Sequence, residues 1–186
     1  MQPPLPQPNE NQTYAGLVDA QDEDGDDLSY TSYIVSGYGS IEISNESLTI
    51  LPAPFWYGVI EVNFIATDGE YYVQQDFNVE VYNVDDPPTA YDITNTGQED
   101  TPITIELISS DPDTEPGLLV YSIDTQPEYG NLALNGSTVQ YTPDENYNGS
   151  DQFYYSVSDE TTQSDPAVVD INMIPVTDAP IAEDVE

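Results

Sequence analysis

Along most of this chain apolar residues fall at every second position, in short runs separated by clusters of Gly, Pro, Asn and Asp. Such alternation marks half-buried β-strands, whose side chains point to opposite faces in turn. In the first half the runs are TYAGLV (13–18), LSYTSYIV (28–35), SIEI (40–43), SLTIL (47–51), VIEVNFIA (59–66) and DFNVEVYNV (76–84). In the second they are ITIELI (103–108), LVYSI (119–123), NLALN (131–135), TVQYT (138–142), QFYYSVS (152–158) and AVVDINMI (167–174). No stretch keeps the three-and-four apolar spacing of a helix. With the leading segment of each half added, the pattern predicts an all-β chain of two tandem, seven-stranded Greek-key β-sandwiches. Asn135-Gly136, set between two alternating runs, predicts a tight hairpin.

The two halves repeat each other. Asp68 and Asp159 lie 91 positions apart (159 − 68), and Asp86 and Asp178 lie 92 apart (178 − 86). A fixed period of this kind is the sequence mark of a repeat architecture. It divides the chain into a Pro-rich linker (1–9), a first repeat (10–86), a second repeat (87–178) and the start of another linker (179–186). Both ends read as cut from a longer protein. At the joint, "NVDDPPTAYD", Pro87 and Pro88 favour an extended path.

Charge narrows the functions. The 186 residues include 36 Asp and Glu and no Lys, Arg or His, a formal net charge of −36. Nucleic acid and anionic membranes need basic side chains and are excluded as partners. High charge is also a mark of disorder. Here 38% of residues are hydrophobic and 11% aromatic, and their alternation predicts a folded core. No cysteine is present, and the first residues lack the basic and apolar regions of a signal peptide. Acid–base chemistry would rest on carboxylates and Tyr alone, and nothing marks a catalytic cleft, so the chain is expected not to be an enzyme.

Carboxylates recur at matching places and have no cation of their own to pair with. In the second repeat, the loop after ITIELI carries Asp111 and Asp113, the loop after QFYYSVS carries Asp159, and the incoming linker carries Asp85 and Asp86. A sandwich brings these three segments to one end. Calcium takes six to eight hard oxygen ligands in a tolerant geometry, which carboxylates and carbonyls supply. The first repeat offers Asp22, Asp24 and Asp68, with Asn9 or Glu10 as contributors from its incoming segment. Asp178 is expected to pair with a following repeat. The plainer alternative is a set of solvated turns, since Asp favours turns on local grounds. An EF-hand is excluded, because the sixth position from Asp22 is Asp27 rather than Gly.

The second repeat, "EDTPITIELISSDPDTEPGLLVYSI" through "YGNLALNGSTVQYTPDENYNGSDQFYYSVSD" to "VTDAP", resembles the cadherin-like tandem repeats of large bacterial and archaeal surface adhesins. The first resembles them less closely, since "PAPFWYG" stands where the second has "TPDENYNG". The resemblance implies immunoglobulin-like sandwiches with Ca2+ at the joints, and Asp86, Asp111, Asp113 and Asp159 match its pattern. It implies an extracellular, calcium-rigidified structural or adhesive module of a stalk, adhesin or filament. Its partners would be neighbouring repeats of the same or a like chain, with surface glycans or other cells beyond them. Two alternatives stand beside it. One is a carbohydrate- or ligand-binding module using Phe55, Trp56 and Tyr57, a run for which packing is the simpler explanation. The other is a self-assembling filament or S-layer subunit. Sequons at Asn11, Asn45, Asn135 and Asn148 are the chance product of Asn- and Ser-rich turns on the simpler reading.

Overall fold

The computed structural model describes residues 8–44 and 46–177. The chain divides into two compact units, Met1–Val84 and Asp85–Glu186. Strands account for nearly all of the regular structure, and a single 3₁₀ turn spans Pro116–Leu118. Among the described residues no helix is long and apolar enough to cross a membrane.

The first unit holds β1 (Tyr14–Leu17), β2 (Ser29–Ser36), β3 (Gly39–Ser44), β4 (Ser47–Pro52), β5 (Gly58–Thr67) and β6 (Tyr72–Val81). They form two antiparallel sheets, ordered β1-β4-β3 and β2-β5-β6. Where description begins, Asn9 bridges Tyr82 in parallel.

The second unit holds β7 (Thr89–Ala90), β8 (Ile93–Gln98), β9 (Ile103–Glu106), β10 (Ser109–Ser110), β11 (Val120–Thr125), β12 (Gly130–Asn135), β13 (Thr138–Pro143), β14 (Gly149–Ser158) and β15 (Ala167–Ile174). One sheet runs β12-β13-β9, the other β11-β14-β15-β8, and β7 pairs with β10 alone. β8 runs parallel to β15, the one parallel pairing between strands described. The nine segments fill seven strand positions, because the leading strand is split into β7 and β8 and the next into β9 and β10. The β12–β13 turn differs slightly from expectation. Asn135 still pairs with Thr138, and the two turn residues are Gly136 and Ser137. Gly136 takes φ +60°, which a side chain resists and glycine does not.

Each sandwich closes on its own core. In the first, Leu48 and Ile50 of one sheet meet Ile60, Val62, Val79 and Val81 of the other. In the second, Ile105, Val139 and Tyr141 meet Phe153, Tyr155, Val157, Val169, Ile171 and Met173. The copies solve the same volume problem in opposite ways. Tyr14 pairs with Ile50 across β1 and β4, whereas Ile103 pairs with Tyr141 across β9 and β13. The ring has changed strand while the pair keeps its total volume, the kind of exchange a packed core tolerates best.

Ile60 of the first copy corresponds to Asp151 of the second (151 − 60 = 91), which is 7% exposed. The Asp151 carboxylate accepts the amides of Glu128 at 2.9 Å, Tyr129 at 3.0 Å and Gln152 at 2.9 Å, and the Tyr141 hydroxyl at 2.9 Å. Burial and then this carboxylate hold the Tyr141 phenol well above its ordinary value. A buried charge is tolerated only when its hydrogen bonds are made, and here they are.

"PAPFWYG" departs from the turn sequence of the second repeat, yet the backbone is the same. Phe55 has φ +57° where Asn146 has +58°, and Gly58 has +132° where Gly149 has +140°. A left-handed Phe is unfavourable by roughly 1–2 kcal/mol, whereas Asn is more at ease there. Packing holds the turn: Trp56 lies against the first core and meets Tyr38 edge-on at 5.9 Å.

Candidate metal centre

In the second unit the acidic loops are built by their own carboxylates. Asp111 Oδ1 accepts the amides of Asp113 at 2.8 Å and Thr114 at 2.6 Å, closing the loop after β10. Asp113 Oδ2 accepts the Asp86 amide at 2.9 Å, which fixes the incoming linker against that loop. Thr161 donates its hydroxyl to Asp85, tying the linker to the loop after β14 as well. Asp85, Asp86, Asp111, Asp113 and Asp159 are therefore drawn together from three segments of one unit.

Their free oxygens are unusual. Asp86 Oδ2, Asp111 Oδ2 and Asp113 Oδ1 are all buried without a hydrogen-bond partner. Burying an ionised carboxylate oxygen unpaired is costly, and no side chain in this protein carries positive charge. Burial first, then repulsion from Asp113, Asp111 and Asp85, raises the Asp86 carboxyl above its ordinary value. Asp86 and Asp113 bring ligand oxygens within 4.8 Å of each other, and among the described residues of this unit no third carboxylate joins them at that spacing.

Asp159 has a different use. Its Oδ1 accepts the amides of Thr161 and Thr162 at 2.6 Å each, and Oδ2 accepts the Thr162 hydroxyl at 2.8 Å. These bonds pull its carboxyl down to about 2. It organises the loop from which Thr161 reaches Asp85. Because the folded value is depressed, the stabilisation is present above the ordinary carboxylate range and is lost as pH falls through about 2. The Asp159 side chain is expected to stay ionised to about pH 2 in an NMR titration, and Asp159→Asn to remove that share of the acid sensitivity.

The first unit repeats the local geometry without the buried cluster. Asp22 Oδ1 accepts the amides of Asp24 at 2.9 Å and Asp26 at 3.1 Å, as Asp111 does in its copy. Asp68 Oδ1 accepts the amides of Glu70 at 2.7 Å and Tyr71 at 2.6 Å, which lowers its carboxyl as at Asp159. Asp24 is exposed. Among the described residues, Asp22, Asp24 and Asp68 do not gather into a group with ligand atoms within 4.8 Å. Asp178 lies outside the described residues.

Glu10 is not with those loops. Its amide donates to Tyr82 O at 2.8 Å, and its Oε1 accepts the Val84 amide at 2.6 Å, at the exit end of the unit. Only 2% of it is exposed, and Oε2 is buried without a partner. Glu99 occupies the same place in the second unit. Its amide donates to Ile174 O at 3.0 Å, and its Oε1 accepts the Val176 amide at 2.6 Å. Sequence reasoning placed Glu10 at the wrong end and missed Glu99. The signal was their recurrence 89 positions apart (99 − 10), close to the repeat period. Of the aromatic run, Phe55 and Tyr57 are about half exposed and Trp56 is half-buried against the core.

Comparison with known proteins bears on the second unit first. Residues 85–172 match the bacterial Ig domain family. The second unit has an immunoglobulin-like β-sandwich fold. A stretch of 97 residues is 31% identical to Protein GAMETE EXPRESSED 2 of Arabidopsis thaliana, covering 51% of this chain and 10% of that protein. The chain thus spans about a tenth of the length of that curated relative. Among solved structures, the EC1-2 fragment of human mucin-like protocadherin is 16% identical, with a TM-score of 0.49 over 91% of this chain and 95% of that one. An endo-fucoidan hydrolase of glycoside hydrolase family 107 is 17% identical, with a TM-score of 0.42 over 92% of this chain and 27% of the enzyme. An Ig-like sandwich hosts many functions, so what this chain does must be argued from its sites.

Proposed function

We propose that this chain is part of an extracellular structural or adhesive array whose joints are stiffened by calcium. The observation that carries the reading is the trio of buried, unpartnered oxygens on Asp86, Asp111 and Asp113 in a chain without a positive side chain. The available donors are all hard oxygens, with no His or Cys, which suits Ca2+ rather than a softer metal. Asp86 and Asp113 would be the primary ligands, with Asp111 and Asp85 completing the charge. Bound calcium would relieve the repulsion that raises Asp86 and restrict the linker between repeats. Neighbouring repeats of the same or a like chain are the first partners of such an array.

Isothermal titration with calcium tests this directly, alongside small-angle scattering in chelator and in saturating calcium. Binding with Kd on the order of 10⁻⁴ to 10⁻³ M, the range of extracellular modules, is expected, together with a longer and stiffer particle. Asp113→Ala should abolish both and leave the second unit folded. Wild-type protein that takes up no calcium, or a particle unchanged by it, would overturn the reading.

A further inference from the structure

The two copies differ at one atom that matters for a cation. Their exit-end turns share the same anchoring bonds. Asn11 Oδ1 accepts the Phe55 amide at 3.1 Å, and Asp100 Oδ1 accepts the Asn146 amide at 2.7 Å. Trp56 donates its amide to Ala53 O at 3.1 Å, as Tyr147 does to Asp144 O at 3.1 Å. Asn11 and Asp100 share a left-handed backbone, with φ +58° and +61°. In the second unit, Asn148 Nδ2 donates to Glu99 Oε2 at 2.8 Å, so both oxygens of that glutamate are engaged. The residue at the same turn position in the first unit is Tyr57 (148 − 57 = 91). It makes no bond to Glu10, whose Oε2 stays buried and open.

We propose that this turn position, Tyr57 in the first repeat and Asn148 in the second, decides whether the repeat's buried glutamate can ligate a cation. The idea rests on the calcium reading above and adds its regulation. An amide N–H of Asn148 stands where a cation would approach Glu99 Oε2, and it must be displaced before that oxygen can coordinate. Glu10 has no such competitor. Tyr-type repeats would therefore take up calcium at lower concentration than Asn-type repeats, and a string of mixed repeats would fill in stages. The same contact holds the Asn148 side-chain nitrogen of one of the four sequons.

The test moves the latch into the first repeat. Because Phe55 and Asn146 share their backbone and their anchoring bond, an Asn at position 57 can reach Glu10 as Asn148 reaches Glu99. In calcium titrations of the full chain, Tyr57→Asn is expected to weaken binding about tenfold, the lower end of the range for changing a residue that contacts a ligand. Tyr57→Ala removes the ring without adding a donor and separates lost packing from the latch. It should weaken binding less than Tyr57→Asn. In wild-type protein, the Asn148 side-chain amide resonances should stay put while calcium saturates the first site, and should shift on Glu99→Gln. Wild-type affinity in Tyr57→Asn, with affinity lost in Glu10→Gln, would overturn the latch and spare the calcium site. Equal weakening by Tyr57→Ala and Tyr57→Asn would overturn it too. If Glu10→Gln and Asp113→Asn both bind as wild type, the calcium reading itself fails and the latch with it.

Discussion

Asp151→Ala is expected to destabilise the second unit by about 3 kcal/mol or more, enough to dominate its unfolding curve. Removing the carboxylate takes the acceptor from the amides of Glu128, Tyr129 and Gln152 and leaves the buried Tyr141 hydroxyl with only its longer bond to Tyr129 O at 3.2 Å. Each buried group left without a partner costs about 1–3 kcal/mol, and breaking one side of a buried charged contact costs about 3–5. The chain has a single Trp, Trp56, which lies in the first unit. Its fluorescence in a urea melt should therefore be unchanged, while a probe of the second unit, such as Tyr141 or Met173 NMR signals, shifts to lower denaturant. The first copy also supplies a rescue. Its equivalents of Tyr141, Asp151 and Ile103 are Ile50, Ile60 and Tyr14, all buried. Tyr141→Ile, Asp151→Ile and Ile103→Tyr together should be more stable than Asp151→Ala alone, because an apolar pair of matching volume replaces a broken polar one.

The second large effect is one of opposite signs. In chelator, Asp86→Asn is expected to raise the melting temperature of the second unit by a few degrees, an amount corresponding to about 1 kcal/mol or less for a domain of this size. In saturating calcium the same change should lower it relative to wild type. Asp86 has a carboxyl raised by burial and by Asp113, Asp111 and Asp85, so the ionised form is the unfavourable one in the folded protein. With the folded value above the unfolded one, the stability it supports is present at acid pH and lost as pH rises through the folded value. Metal-free wild type should accordingly gain stability as pH is lowered from neutral toward the upper carboxylate range, and Asp86→Asn should flatten that slope. Calcium at about a hundred times Kd contributes about 2.7 kcal/mol to wild type, most of which the variant forfeits. The Asp86 amide that holds Asp113 is untouched by the substitution, so the loop itself survives. A melting temperature that falls in chelator as well as in calcium would show that the cluster is not repulsive.

Much of this architecture was legible in the chain itself. Alternation located the longer core strands, though not β7, β8 or β10, because a sheet with one face on a core forces a period of two on its side chains. The spacing of Asp68 and Asp159, and of Asp22 and Asp111, located loops whose carboxylates fold back on their own amides, an interaction that needs only local sequence. The Asp113 carboxylate takes the Asp86 amide and Asp111 closes the same loop, because strand order in a sandwich fixes which loops share an end.

Long-range packing decided the rest. Glu10 reads as part of an incoming segment, and only its pairing with Tyr82 and Val84, some seventy residues later, carries it to the exit end. Glu99 carries no motif, and its importance lies in burial. Phe55 breaks the turn sequence of the second repeat, yet the turn survives because Trp56 packs beneath it and Asn11 holds its amide. The aromatic run is thereby a support for the fold before it is a surface. The division follows from range. Periodicity and turn chemistry are set by residues a few positions apart and are written in the sequence. Which of the two buried glutamates, Glu10 or Glu99, keeps an open oxygen depends on a single side chain brought from across the unit, Tyr57 or Asn148, and only the tertiary structure brings it there.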